Sequence, residues 1–182
     1  MTDYTKITLL CEDRQQEVFA RHFLESCGID KHDIYPDTCP KGKGAGEQYV
    51  RENFPRQVIS YRKISHRLSA GLVVLTDADV LEVAERLRQL AGALEENRIP
   101  QPTQRERIGV FVPKRNIETW IFYLMGQAVN EDEVYPHFQK KGECKPFVRD
   151  LALNRKHSLP ENVPPSLKTA CRELPRILQE EI

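Results

Sequence analysis

Short apolar runs alternate with amphipathic stretches along the first two thirds of the chain. The strongest apolar run lies within residues 70–77 and is typical of a buried strand, and residues 80–97 directly after it carry Leu81, Leu87 and Leu94 on one helical side. Weaker patterns of the same two kinds extend the prediction. They place strands at 6–11, 29–37, 57–62 and 107–113, helices at 14–28, 116–126 and 166–181, and a Gly-rich loop running into a short helix within 40–54.

A strand followed by a helix, repeated along the chain, is the pattern of an α/β fold. We therefore expect a mostly parallel sheet flanked by helices. Residues 1–126 contain all of the predicted strands and form the expected α/β core. Residues 127–182 are expected to be a C-terminal helical extension packed on that core in the same domain, with a Pro-rich link at 158–166 before the last helix.

Three acidic residues follow two of the predicted strands. Asp77 and Asp79 end the run at 70–77, and Glu12 comes directly after the run at 6–11. Ligands of open α/β sheets bind beyond the carboxyl ends of the strands, so all three side chains are expected at the same edge. Side chains alternate along an extended strand, and we therefore expect Asp77 and Asp79 on one side, with Ala78 pointing away.

Converging carboxylates repel one another unless a cation compensates their charge. Oxygen ligands favour Mg²⁺ or Mn²⁺ over zinc, so Glu12, Asp77 and Asp79 predict a site for one of these ions. An alternative for Asp79 is that it N-caps the helix at 80–97.

Composition and charge narrow the class of protein only a little. The 182 residues include 27 Lys and Arg and 27 Asp and Glu, so the net charge does not indicate nucleic-acid binding. Residues 36–71 and 140–157 nevertheless each have an excess of four basic residues, which is typical of either a solvated surface or a polyanion-binding surface. Five cysteines without a CxxC pair argue against a disulfide framework and a zinc site. No signal peptide is apparent and no run approaches the ~20 apolar residues of a membrane span, so we expect a cytoplasmic protein.

The segment LLCED, with Glu12, and the segment VVLTDAD, with Asp77 and Asp79, together resemble the Toprim domain, and residues 6–126 follow its order of elements. That family occurs in topoisomerases, primases, recombination proteins and small nucleases. The resemblance implies a Toprim-like, Rossmann-like fold, acid–base or metal-binding chemistry at Glu12, and Mg²⁺ held by the two aspartates. Asp13 stands where many Toprim proteins have glycine. This departure and the long basic insertion before the D-x-D strand are closer to the nuclease branch, the OLD-type endonucleases and their small relatives.

Two further segments fit a nuclease. The stretch GECKPFVRD resembles the lysine–proline motif of OLD-type nucleases, which implies that Lys145 faces the reacting phosphate, although the residues after it depart from that motif. In VPKRNIETW, Glu118 begins a helix after the next strand. It either interacts with the helix dipole or serves as a fourth metal-side carboxylate.

The Gly-rich stretch KGKGAG at 41–46 is not a Walker A motif, because G-x-x-x-x-G-K-[ST] is absent. It is either a flexible loop or a contact with a nucleic-acid backbone through Lys41, Lys43 and the loop amides. Arg62 and Arg67 are further candidates for phosphate contacts, with plain surface placement as the alternative. If they act together, residues 41–67 and 140–157 are expected to flank the carboxylate site.

These features predict a divalent-metal-dependent nuclease that hydrolyses phosphodiester bonds of DNA or RNA, with Glu12, Asp77, Asp79 and Lys145 as its catalytic residues. OLD-type systems place such a domain beside an ATPase, so the resemblance also implies a separate ATPase partner in an antiviral system. Two alternatives stay open. One is a non-catalytic module that binds nucleic acid or nucleotide and regulates a partner, and the other is a phosphatase or nucleotidyl transferase acting on a small substrate.

Overall fold

The computed structural model describes residues 5–155, 157 and 160–179. Its centre is a four-stranded sheet in which all neighbouring strands are parallel, in the order β2-β1-β3-β4. The α/β class predicted from the sequence is thereby confirmed. The strands are β1 (Lys6–Cys11), β2 (Ile34–Thr38), β3 (Ala70–Leu75) and β4 (Ile108–Phe111), and the helices are α1 (Arg14–Ser26), α2 (Gly46–Ile64), α3 (Val83–Glu96), α4 (Ile117–Leu124), α5 (Lys145–Asn154) and α6 (Pro165–Leu178).

The chain reverses its path across the sheet between β1 and β3. From β1 it passes through α1 to β2 at one edge, and from β2 it returns through α2 to β3 on the other side of β1. The two central strands pair from Lys6 opposite Ala70 to Cys11 opposite Leu75. The crevice beyond their carboxyl ends is therefore the topological switch point, which is where open α/β sheets bind ligands.

Apolar layers cover both faces of the sheet. On one face, Phe54 of α2 and Leu90 of α3 pack with Leu72 of β3. On the other face, Phe19 of α1 and Trp120 of α4 belong to a second core. Because β3 is buried on both faces, its sequence is a continuous apolar run rather than an alternating one.

The predicted strand at 57–62 is wrong, because these residues lie inside α2. Their β-branched side chains favour a strand locally, but a helix allows one continuous apolar face to be buried against the sheet. The residues that form this face recur every three or four positions and are all buried: Val50, Phe54, Val58 and Tyr61.

The two last helices pack against the same face of the sheet as α1. Val148 of α5 and Leu167 and Ile177 of α6 are buried in one core with Ile7 of β1. Residues beyond position 126 therefore complete an apolar layer that begins in the first strand.

None of the helices within the described residues is both long and apolar enough to cross a membrane. The longest, α2, has 19 residues and combines its buried face with exposed charged side chains.

Candidate functional site

The carboxylate of Glu12 lies against the chain that leaves β3. Glu12 follows β1 directly, and the pairing of Cys11 with Leu75 sets it beside Thr76 and Asp77. Its Oε1 accepts hydrogen bonds from the Thr76 hydroxyl and from the main-chain nitrogen of Asp77, the latter at 2.7 Å. Two acidic residues distant in sequence thus meet at the switch point of the sheet.

Asp77 carries its carboxyl group into buried surroundings. The residue is 7% exposed, and its Oδ1 has no hydrogen-bond partner among the described residues. Burial raises the pKa of Asp77 well above its ordinary value, and the negative charges of Glu12, Asp13 and Glu118 raise it further. Burial also raises the pKa of Glu12 to about 7, although its hydrogen bonds act in the opposite direction. Without a cation, this pair of carboxyl groups therefore favours the protonated state more than exposed acids do.

Asp79 lies on the turn after the strand and is half exposed. Because β3 ends at Leu75 and Asp79 has a left-handed backbone with φ of 55°, strand alternation does not extend to this position and does not align it with Asp77. The Asp79 carboxylate instead forms an ion pair with Arg86 of α3, with Oδ2 and Nη2 3.2 Å apart. It remains close enough to Glu12 to raise the pKa of that residue.

Other acids cap the neighbouring helices. At the start of α3, the Glu82 nitrogen donates to the Glu85 carboxylate at 2.8 Å within a capping box. The alternative that Asp79 caps this helix is therefore wrong. Asp13 caps α1, since its carboxylate accepts a hydrogen bond from the Gln16 nitrogen at 2.9 Å. Asp13 thus has a structural role at the start of α1.

Arg86 is a buried cation among these acids, and sequence reasoning missed it. Its Nε donates to the main-chain oxygen of Asp77 at 2.9 Å, and its Nη1 lies 2.8 Å from the Glu47 carboxylate at the start of α2. The signal in the sequence was its register, because Arg86 lies four residues before Leu90 on the apolar side of α3. A charge on that side of a helix needs buried partners.

Glu118 is buried in the first turn of α4, with 1% exposure. Its Oε1 lies 2.8 Å from Nδ1 of His137, whose side chain is largely exposed. The charge of Glu118 contributes to the raised pKa of Asp77, so this carboxylate belongs to the same acidic edge. The role of Glu118 as a fourth metal ligand stays a prediction. Its partner His137, like Arg86, was not identified from the sequence.

A cleft of about 770 Å³ opens beside Glu12. Its walls come from the residues that join β1 to α1, the first turn of α1, the end of β2, the Gly-rich loop and the turn before α5. Three basic side chains line it, Arg14, Lys41 and Lys141, together with the three acids Glu12, Asp13 and Glu17. Arg14 forms an ion pair with Glu17, so Lys41 and Lys141 are the cleft-lining cations that have no such pair among the described contacts. An anionic ligand in this cleft would lie next to the Glu12 carboxylate.

The Gly-rich loop approaches Glu12 so closely that a side chain at position 46 would not fit. A Cβ on Gly46 would lie 2.7 Å from the Cβ of Glu12 and 2.9 Å from its carbonyl oxygen. Gly46 is also the first residue of α2, whose N-cap residue Ala45 provides no side-chain hydrogen bond. The missing side chain therefore lets α2 begin directly against the acidic edge.

Arg62 and Arg67, two of the predicted nucleic-acid contacts, are not among the residues that line the cleft. Because α2 starts beside Glu12 and runs back toward the amino ends of the strands, its last turn is far from the cleft. Arg62 in that turn forms an ion pair with Glu106, with Nε and Oε1 2.6 Å apart, and Arg67 lies in the turn that leads into β3. Of residues 41–67, the Gly-rich loop thus borders the cleft while Arg62 and Arg67 do not line it, and contact of these two arginines with a nucleic acid stays a prediction.

Two other predicted lysines are exposed at or near the carboxyl edge. Lys43 lies in the Gly-rich loop, and Lys145 is the first residue of α5. Among the basic residues of these segments, Lys41 and Lys141 are the ones that line the cleft. Contact of Lys43 or Lys145 with a phosphate stays a prediction.

Within the described residues, no group of three His, Cys, Asp or Glu side chains stands in the geometry of a metal site. Mg²⁺ is, however, commonly held by one or two carboxylates, with water and substrate phosphate completing its shell. The buried and unpaired Oδ1 of Asp77, on the residue whose amide binds Glu12, fits that mode of binding.

Comparisons of the chain with protein-family models, with curated proteins and with solved structures find no match.

Proposed function

We propose that this protein is a divalent-metal-dependent nuclease that binds Mg²⁺ or Mn²⁺ through Glu12 and Asp77. The observation that carries the proposal is that Glu12 both accepts a hydrogen bond from the amide of the buried Asp77 and lines a cleft that also contains Lys41 and Lys141. In metal-dependent hydrolysis of a nucleic acid, acids bind the cation and basic side chains bind the polyanionic backbone.

Each part of the site has a task in this proposal. Glu12 and Asp77 would hold the cation, and a bound divalent ion supplies a Lewis acid that polarises a phosphate oxygen and lowers the pKa of a water molecule. The Thr76 hydroxyl and the Asp77 amide keep the Glu12 carboxylate in place. Lys41 and Lys141 bind phosphate oxygens and orient the scissile bond toward the acids.

Asp79, Glu118 and a partner subunit have less direct roles in the proposed function. Asp79 and Glu118 add negative charge to the edge and so favour a cation there. The resemblance to OLD-type nucleases extends the proposal to a separate ATPase subunit, whose presence would supply the ATP hydrolysis that a chain without a Walker A motif does not provide.

The direct test is cleavage of labelled single-stranded DNA, duplex DNA and RNA in the presence of Mg²⁺ or Mn²⁺. Glu12→Gln and Asp77→Asn should each abolish cleavage. Glu106→Gln is the matched control, because it removes a carboxylate at the opposite edge of the sheet, and it should keep full activity. Equal cleavage by all of the variants would identify a contaminating nuclease and contradict the proposal.

The same preparations distinguish the alternatives. Salt-sensitive binding of nucleic acid with no cleavage under any metal condition would support the regulatory module. Metal-dependent hydrolysis of p-nitrophenyl phosphate without cleavage of any polymer would support the phosphatase.

A further inference from the structure

Arg86 and Arg107 are both almost completely buried, at 5% and 8% exposure. They lie at opposite ends of the strands, Arg107 at the amino ends and Arg86 at the carboxyl ends. Arg107 precedes β4 and donates from Nε to the main-chain oxygen of Ile177 at 3.0 Å and from Nη1 to the Ser69 hydroxyl at 2.8 Å. Arg86 lies at the carboxyl edge, on the helix that follows the D-x-D turn.

Every nitrogen of the Arg86 guanidinium is engaged within the protein. Nε donates to the main-chain oxygen of Asp77, and Nη2 reaches the main-chain oxygen of Ala78 at 3.5 Å and the Asp79 carboxylate at 3.2 Å. Nη1 donates to Glu47 at 2.8 Å and to Gln89 at 2.6 Å. A buried side chain with all of its nitrogens occupied does not contact a substrate, so any role in the site acts through the groups it holds.

Those groups belong to the two parts of the proposed site. Asp77, Ala78 and Asp79 form the turn that carries the buried carboxylate. Glu47 is the second residue of α2, next to Gly46, which lines the cleft beside Glu12. Arg86 therefore joins the turn after β3 to the first turn of α2 by charge-assisted hydrogen bonds at both ends.

We propose that Arg86 is a positioning residue for the cation site, which fixes the Asp77–Asp79 turn against the first turn of α2 and so sets Asp77 relative to Glu12. This inference rests on the proposed function, since it concerns the same carboxylates. The planar guanidinium donates to three groups of the turn at once, the main-chain oxygens of Asp77 and Ala78 and the carboxylate of Asp79. The ammonium group of a lysine does not reproduce that geometry.

The test compares Arg86→Lys with Arg107→Lys as a matched pair of buried arginines in the full chain. Mn²⁺ affinity is measured by electron paramagnetic resonance of the free ion, and exchange of the Asp77 and Ala78 amides is measured by NMR on the metal-free protein. We expect Arg86→Lys to weaken Mn²⁺ binding by at least about tenfold, and to speed exchange of these two amides. Arg107→Lys should change neither quantity, even where it lowers the melting temperature.

A milder variant covers the case in which Arg86→Lys fails to fold. Glu47→Gln leaves the guanidinium in place but removes its charged partner on α2, and it should weaken Mn²⁺ binding in the same direction by a smaller factor. Near-UV circular dichroism of each variant checks that the core is intact.

The outcomes separate this inference from the proposed function. Normal Mn²⁺ binding by the wild type together with unchanged binding and amide exchange in folded Arg86→Lys and Glu47→Gln overturns the positioning role alone. Equal weakening by Arg86→Lys and Arg107→Lys also overturns it, because the effect is then a general consequence of reduced stability. If the wild type binds no Mn²⁺, the proposed cation site fails and the positioning role fails with it.

Discussion

The Oε1 of Glu12 lies 2.7 Å from the main-chain nitrogen of Asp77, although the two residues are 65 positions apart in the chain. This hydrogen bond joins the ends of the two central strands, at the point where the path across the sheet reverses. It places one acidic side chain against the backbone that carries another. The predictions on metal binding and on pH depend on that juxtaposition.

Metal binding should stabilise the wild type and not the site variants. An ion that binds only the folded state adds about 2.7 kcal/mol at a concentration 100 times its Kd. Urea unfolding with titrated Mn²⁺ measures this gain, which should disappear in Glu12→Gln and Asp77→Asn. The metal-free Asp77→Asn variant should be at least as stable as the wild type, because it removes an acid whose ionised form is disfavoured by burial and by the neighbouring Glu12. Equal stabilisation of all proteins by Mn²⁺ would place the ion elsewhere.

The stability of the metal-free protein should fall between pH 5 and pH 7. Burial raises the pKa of Glu12 from an ordinary 4.5 to about 7, so in this range the folded protein keeps a proton that the unfolded chain has already released. Unfolding is then coupled to proton release, and the free energy of unfolding decreases by roughly 2 kcal/mol as pH rises through this window. The raised pKa of Asp77 acts with the same sign.

Glu12→Gln isolates this contribution, because glutamine keeps an acceptor oxygen for Thr76 and Asp77 but does not titrate. The quantity to measure is the difference in unfolding free energy between wild type and variant across the pH range. Because both proteins contain the same histidines, the contribution of the histidines drops out of this difference. A difference that does not change with pH would contradict the raised pKa of Glu12.

A methyl group at position 46 should disturb the contact between α2 and Glu12. Gly46→Ala places its Cβ within 2.7 Å of the Glu12 Cβ, and we expect stability to fall by roughly 1–3 kcal/mol. Gly92→Ala is the control, since the added Cβ meets nothing within 4 Å apart from its chain neighbours and the backbone of α3 itself, and it should stabilise by roughly 0.5–1 kcal/mol. Chemical denaturation distinguishes the two signs. Equal effects would mean that the approach of α2 to Glu12 is not close.

Nucleic-acid binding should depend on the lysines of the cleft and not on basic residues at the other edge. The Lys41→Ala, Lys141→Ala double variant should lower affinity and reduce the slope of log K against log salt by about 1 for each phosphate that the variant no longer binds. The Lys63→Ala, Arg67→Ala double variant removes the same charge from the far end of α2 and the turn after it, and it should bind as the wild type does. Fluorescence anisotropy over a salt series measures both. A larger decrease in affinity for the second variant would indicate that nucleic acid binds near the amino ends of the strands instead.

The strands and most of the helices were predictable because each is encoded locally. A run buried on both faces, such as β3, is apolar at every position. The helical period of α3 predicted the helix but not its exact buried face, since Leu87 is exposed and Arg86 is buried. The strand predicted at 57–62 failed because its β-branched residues are locally ambiguous, and only the sheet beneath α2 selects the helix.

The sequence by itself also determined that acids follow the ends of two parallel strands, since Glu12 and Asp77 are adjacent to their strands in the chain. Tertiary structure alone decided what surrounds them. The 19 residues of α2 carry Arg62 away from the edge where the helix begins, so neighbours in a basic segment are separated in space. Arg86 lies on an apolar helix face, and its partners Glu47 and Asp77 come from two other parts of the fold. Contacts of this kind depend on how elements pack across the sheet, and the pattern along one segment does not specify which other segment packs against it.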